Sequence, residues 1–181
     1  MCIGYVTASS EEAAADDDRS ALPDPYDHMA RLNEYERAIH LTETEQPANV
    51  HQARKLLEGL VRDFPASYQF HASLGSVMGR LDKHAEALES FRNAEKIHPD
   101  SADLWMNIAI ACYSTGDDQT AKNYLLRVIE QEGSPAQASM ILAQLYADQG
   151  DILGAKGVLR RLLERRDITD LERRQALEAL Q

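Results

Sequence analysis

Six histidines, two cysteines and a run of three aspartates are the residue types in this chain best suited to metal binding, nucleophilic attack or proton transfer. Their spacing argues against all three. His28, His40, His51, His71, His84 and His98 are scattered, with no two at metal-ligand spacing on one helix face, so each reads as a surface or partly packed side chain. Cys2 and Cys112 form neither a disulfide framework nor a metal site. Cys112 falls at a packing position and reads as a small buried hydrophobe. Asp16, Asp17 and Asp18 lie in an acidic low-complexity stretch, where a hard cation would lack a shaped loop of converging ligands; a solvated linker is the reading. The sequence has no glycine-rich phosphate loop, no G-x-S-x-G elbow and no H-E-x-x-H pair. Nor are two carboxylates isolated in an apolar setting that would raise a pKa. The expectation is a non-enzymatic chain with no cofactor and no metal.

Composition narrows the partners. The 181 residues carry a net charge of -11, with 44% hydrophobic and 27% charged residues, which is ordinary for a soluble helical domain. The acid is concentrated between Glu11 and Asp27, whereas Arg160, Arg161, Arg165 and Arg166 cluster late in the chain. Nucleic acid is not an expected partner, since phosphate binding needs a basic face that releases counterions. A membrane is not expected either, because no apolar run is long enough to span one. The first ten residues lack the charged start and apolar stretch of a secretory signal, which makes the cytoplasm the default location.

The elements that must position any site come from a repeat. Between Tyr68 and Asp100, Leu74 and Gly75 are followed by Ala87, Phe91, Ala94 and Pro99. The pattern returns 34 residues on as Trp105, Ile108, Ala109, Ala121, Leu125 and Val128, and again as Leu142, Ala143, Tyr146, Ala155, Leu159 and Leu162. A period of 34 with these anchors resembles the tetratricopeptide repeat. The resemblance implies an all-α right-handed solenoid of helical hairpins. It divides the chain into a flexible acidic linker (1–25), a degenerate repeat (26–67), three better repeats (68–101, 102–135, 136–169) and a capping helix (170–181). The linker is low in aromatic and branched residues, so it cannot bury enough surface to offset its ordering entropy.

Helix boundaries are legible in the same way. Met29, Leu32, Tyr35 and Ile39 trace an apolar face after Tyr26, and Val50, Ala53, Leu57, Leu60, Val61 and Phe64 trace a second before Pro65. Six further helices are predicted near Ser67–Leu81, Lys83–Ile97, Ala102–Ser114, Asp118–Gln131, Pro135–Gln149 and Ile152–Arg165. Ser101 and Ser134 suit N-cap positions and Pro135 a first helical position. Gly116-Asp117 and Gly150-Asp151 suit tight turns. Gly75, Ala109 and Ala143 are small where two helix backbones approach. Thr169 and Glu172 form a capping-box pattern that opens the last helix, with Arg173, Arg174, Gln175 and Glu178 on its polar side.

In the family that this chain resembles, the first helix of each repeat lines a concave groove, and its second, fifth, ninth and twelfth positions face the ligand. Carried over, these are Gln69, Ala72, Ser76 and Gly79, then Asp103, Met106, Ile110 and Tyr113, then Gln137, Met140, Gln144 and Ala147. Tyr35 and Ala38 extend the row if the first repeat keeps register. The implied function is binding of a protein or peptide in a nearly neutral groove with apolar anchors. The competing reading is that Met106, Ile110 and Met140 pack against the neighbouring helix. Repeats that clamp a chaperone's terminal carboxylate use Lys and Asn, then Asn, then a basic pair. Here the first two places hold Ala72 and Ser76, Asn107 alone fits, and the third repeat offers Gln137 and Ile141, so a clamp is not expected and the groove should lack a cation for a carboxylate.

A second resemblance covers Ile3-Gly4-Tyr5-Val6 and Leu22-Pro23-Asp24-Pro25 with Asp27, which look like the tail of bacterial sulfatase-like hydrolases that carry such repeats. Ile3 and Tyr26 depart from that pattern, and neither cysteine is followed by x-Pro as a sulfatase nucleophile would be. This resemblance implies the alternative function of an accessory or docking domain detached from its hydrolase, with an extracytoplasmic location and the hydrolase domain as partner.

Overall fold

Caps and turns set the helix lengths. The Ser67 and Ser101 hydroxyls accept hydrogen bonds from the Phe70 and Leu104 amides at 3.4 and 3.3 Å, each satisfying one of the free donors of a helix start. Asp117 and Asp151 do the same for the Thr120 and Gly154 amides at 3.3 and 2.8 Å. Immediately before those aspartates, Gly116 and Gly150 both stand at φ +79°, where a side chain would be strained. The equivalent residue one repeat earlier is Asp82 at φ +58°, a conformation that aspartate tolerates better than most residues.

The computed structural model describes residues 25–44 and 46–180. Among these are nine helices and no strand: α1 (Pro25–Thr42), α2 (Pro47–Asp63), α3 (Tyr68–Arg80), α4 (His84–Ile97), α5 (Ala102–Ser114), α6 (Asp118–Ile129), α7 (Ala136–Asp148), α8 (Ile152–Glu164) and α9 (Asp170–Ala179). Successive helices pack as antiparallel hairpins, α1 with α2 through α7 with α8, and each hairpin packs on the next. The predicted acidic linker, its aspartate run and the residues resembling a sulfatase tail lie outside the described residues, apart from the backbone near Pro25.

Position 8 of each first helix shows why the repeat needs small residues. A Cβ built on Gly75 would lie 2.6 Å from two ring carbons of Phe91 in α4, closer than any real contact. Ala109 and Ala143, at the same position, are buried at 0% and 4% exposure. One core cluster runs from Ala38 in α1 to Leu145 in α7. A second gathers Ala136, Ala143, Ala155, Leu159, Leu162 and Ala176 at the C-terminal end. Cys112 is fully buried in the first cluster, and that burial pushes its thiol pKa up.

Three local expectations need correction. Leu32 was expected on the buried face of α1 but is half exposed, whereas Ala38 is fully buried. Among the described helices α1 packs chiefly on α2 and α3, which leaves Leu32 on the side turned away from them. Pro135 does not open a helix; it is the cap residue, with ψ 135°, and α7 starts at Ala136. Ser134 therefore does not cap α7, and its buried hydroxyl accepts a hydrogen bond from Arg165 Nη1 at 3.1 Å. At the far end the capping box of α9 forms as read, with the Thr169 amide donating to Glu172 Oε2 at 2.7 Å and the Glu172 amide to Thr169 Oγ1 at 3.2 Å. Arg173 has a role the pattern did not show. Its guanidinium donates to the Leu163 and Arg165 carbonyls at 2.9 and 3.1 Å, satisfying acceptors at the end of α8.

Candidate partner-binding groove

The first helices of the hairpins lie side by side, α1 touching α3 and α3 touching α5. Two depressions open along that row. One, of about 340 Å³, is lined by residues of α1, α3 and α5, among them Ile39, Ala72, Ser73 and Asp103. The other, of about 270 Å³, includes Gly79, His84, Phe91 and Ile110. Ser76, Arg80 and Asn107 belong to both, so the two form one trough.

The residues predicted for the groove divide into three groups. Ala72, Ser76, Gly79, Asp103 and Ile110 line the trough. Gln69, Tyr113, Gln137 and Gln144 are exposed on the same helices beyond it, and the Gln144 amide donates to Asp148 Oδ1 at 2.7 Å. Met106 is buried at 8% exposure in the main core, and Met140 packs half-buried on the second cluster with Ala147. For these methionines the packing reading describes what is seen. Tyr35 is half-buried, its hydroxyl 3.1 Å from Ser73 Oγ, which links α1 to α3 at the trough's edge.

The expectation of a groove without a cation is overturned. Arg80 lines both depressions. It ends α3, one residue past the last position assigned to the ligand row, and so fell outside the pattern. Its Nη1 donates to the Thr42 carbonyl and its Nη2 to the Thr44 carbonyl at 3.3 Å, which satisfies acceptors at the end of α1 and fixes the guanidinium over the trough. Asn107, Ser73 and Ser76 add neutral donors and acceptors; Ser76 Oγ donates back to the Ala72 carbonyl at 3.0 Å. The trough can thus hydrogen-bond a polypeptide backbone and meet one negative group. Among the described residues no three His, Cys, Asp or Glu side chains gather as a metal site, and no helix is long and apolar enough to cross a membrane.

Comparison with known proteins agrees with this architecture. The tetratricopeptide repeat family model matches residues 80–145. A mitochondrial pentatricopeptide repeat-containing protein of Arabidopsis thaliana is 30% identical over 112 residues, 61% of this chain, and the chain spans only 11% of that relative's length. Among solved structures, a tetratricopeptide repeat protein from Parabacteroides merdae ATCC 43184 superposes with a TM-score of 0.71 at 19% identity, over 84% of this chain and 59% of that one. MamA gives 0.70 at 14% identity over 84% and 88% of the two chains. The first TPR of Spaghetti (RPAP3), bound to the HSP90 peptide SRMEEVD, gives 0.61 at 16% over 67% and 94%. With its 34-residue period, its paired helices and these likenesses, the described chain has the fold of a tetratricopeptide-repeat array, an all-α solenoid of helical hairpins, and residues 80–145 match the model of that repeat.

Proposed function

We propose that this chain is a protein-interaction module, without catalysis of its own, that holds an extended segment of a partner protein along the trough of its first helices. The observation that carries this reading is the joining of the two depressions through Ser76, Arg80 and Asn107. A continuous trough with hydrogen-bonding side chains along its floor suits an unpaired backbone, and Ile39 and Ile110 provide apolar contact for its side chains. The family model that matches is that of a repeat, and one solved neighbour holds a peptide, which supports the same reading.

The recognition proposed differs from a clamp on a terminal carboxylate. Ala72, Ser76, Gln137 and Ile141 stand where a clamp would place lysine, asparagine and a basic pair, leaving Arg80 as the cation in the trough. Arg80 is engaged with two carbonyls, so it orients a passing acidic or carbonyl group rather than gripping a chain end.

The test is site-specific photo-crosslinking in a cell extract, with the reactive group at Ser76 or, as a control, at exposed Glu89 on α4. Capture of a discrete partner from Ser76 alone supports the reading, provided an Asn107→Ala, Ile110→Asp double variant of normal helicity loses it. Equal capture from Glu89 would place the binding surface elsewhere. The peptide SRMEEVD, free and C-terminally amidated, addresses the clamp. A preference for the free acid above about tenfold, 1.4 kcal/mol, would show that a terminal carboxylate is gripped after all.

A further inference from the structure

Opposite the trough, the junctions between second helices are not filled alike. At the fourth position of α3 and of α5 a ring is buried, His71 at 7% and Trp105 at 8% exposure. Each ring nitrogen hydrogen-bonds the carbonyl of the proline in the preceding turn: His71 Nε2 to Pro65, and Trp105 Nε1 to Pro99, both at 2.9 Å. Over the Trp105 ring lies the Arg127 guanidinium, 3.9 Å from the ring centroid. One repeat further on, 34 residues later, the equivalents of Trp105, Pro99 and Arg127 are Ser139, Gly133 and Arg161.

The ring is missing at this third junction, and the space remains. Ser139, Gly133 and Arg161 all line a crevice of about 600 Å³ between α6 and α8, walled by Leu126, Ile129 and Val158. It falls where the core divides into its two clusters. The Ser139 side chain is buried at 6% exposure, and its hydroxyl makes no hydrogen bond among the described residues. Arg161 makes no ion pair among them. Gly157, another lining residue, sits inside α8, where glycine costs about 1 kcal/mol relative to alanine. A Cβ there would meet nothing within 4 Å, so the chain's own packing does not require the glycine. Such a residue leaves room for an approaching ligand. By helical rotation, Ser139 lies about half a turn from Gln137 and Gln144, so the crevice is separate from the trough.

We propose that this crevice receives an aromatic side chain, a tryptophan or one of similar size and donor chemistry, carried by a partner polypeptide. The reason is internal to the molecule. At Trp105 the same backbone position holds a ring with a donor nitrogen under an arginine, and here a backbone carbonyl, that of Gly133, and an arginine, Arg161, stand at the equivalent places while the ring is absent. An inserted indole would donate to the Gly133 carbonyl and lie against Arg161 in a cation–π contact, with its apolar edge on Leu126, Ile129 and Val158. The crevice is open to solvent along one side, so a ring can enter while its own backbone stays outside.

The experiment uses the full chain labelled with ¹⁵N and two probes, the tripeptide amides acetyl-Gly-Trp-Gly and acetyl-Gly-Leu-Gly. The Trp probe is expected to shift the Gly133, Ser139, Gly154 and Gly157 amides saturably, with at least roughly fivefold preference over the Leu probe. Arg161→Ala should remove most of that preference. Ser139→Trp, which refills the crevice from within, should abolish the shifts at normal helicity. If that variant fails to fold, Gly157→Leu blocks the same space from α8. Equal responses to the two probes, shifts confined to Ser76 and Asn107 in the trough, or undiminished shifts in the refilled variant would each overturn the proposal. The trough reading is untouched by any of these except the second, which would strengthen it.

Discussion

The junction between α4 and α6 and the one between α6 and α8 share one backbone spacing and differ in what fills them. In the first, Trp105 lies under Arg127, whose Nη1 is 3.8 Å from Glu95, and Glu95 in turn accepts the Tyr124 hydroxyl at 2.9 and 3.0 Å. In the second, the equivalents of Trp105, Glu95 and Tyr124 are Ser139, Ile129 and Val158, and a crevice stands in place of the network. The difference teaches how a repeat array can change function. Each hairpin touches only its neighbours, so stability is close to a sum of local terms. One junction can give up its filler without unfolding the rest, provided the adjacent junction keeps its own.

The largest expected effect comes from making the filled junction resemble the open one. Trp105→Ala removes a buried ring, a cation–π contact and a hydrogen bond, and should lower stability by roughly 3–5 kcal/mol in urea melts. Ser139→Ala at the equivalent place should stay within about 0.5 kcal/mol of the parent, since its hydroxyl has no bond to lose. Equal losses at both sites would mean that the junctions are energetically alike and the comparison is empty.

Next come the glycines. Gly75→Ala drives a methyl into the Phe91 ring and should cost about 1–3 kcal/mol through overpacking. Gly157→Ala meets open space inside α8 and should instead raise the melting temperature, by up to about 1 kcal/mol of stability. A destabilising Gly157→Ala would show that α8 is tighter than the crevice implies.

The smallest effect is a titration. Tyr124 is pushed up to about 12 by its burial, then by the hydrogen bond and charge of Glu95. The fold favours the protonated phenol, so the stabilisation this contributes is complete below the ordinary tyrosine value near 10 and is lost as pH rises through 12. Ultraviolet absorbance at 295 nm should show one tyrosine ionising late, and the late phase should disappear in Tyr124→Phe. A late phase that survives would assign it to another ring and remove Tyr124 from the sealed junction.

Sequence reasoning reached further in the scaffold than in the sites, for a physical reason. Helix starts and turns are decided within a few residues, as at Ser101, Gly116-Asp117 and Thr169 with Glu172, so the local pattern suffices to read them. Arg80 was missed because its guanidinium reaches carbonyls at Thr42 and Thr44, a whole hairpin away in sequence. Met106 was assigned outward by family position, yet which side of a short helix is covered depends on how neighbouring hairpins tilt. The signal for the crevice was present in the 34-residue register as Ser139 beneath Trp105, but an absent ring has meaning only once the surrounding walls are known to stay open.

By itself, then, the sequence determined the helical period, the hairpin boundaries and the small residues at Gly75, Ala109 and Ala143, because each rests on local backbone preference or on a spacing that recurs. Only the tertiary structure decided that two depressions join through Ser76, Arg80 and Asn107, that Arg173 closes the end of α8, and that the α6–α8 junction is left unfilled. Those features depend on long side chains reaching between hairpins and on volumes set by three helices at once, and neither quantity is written in the order of neighbouring residues.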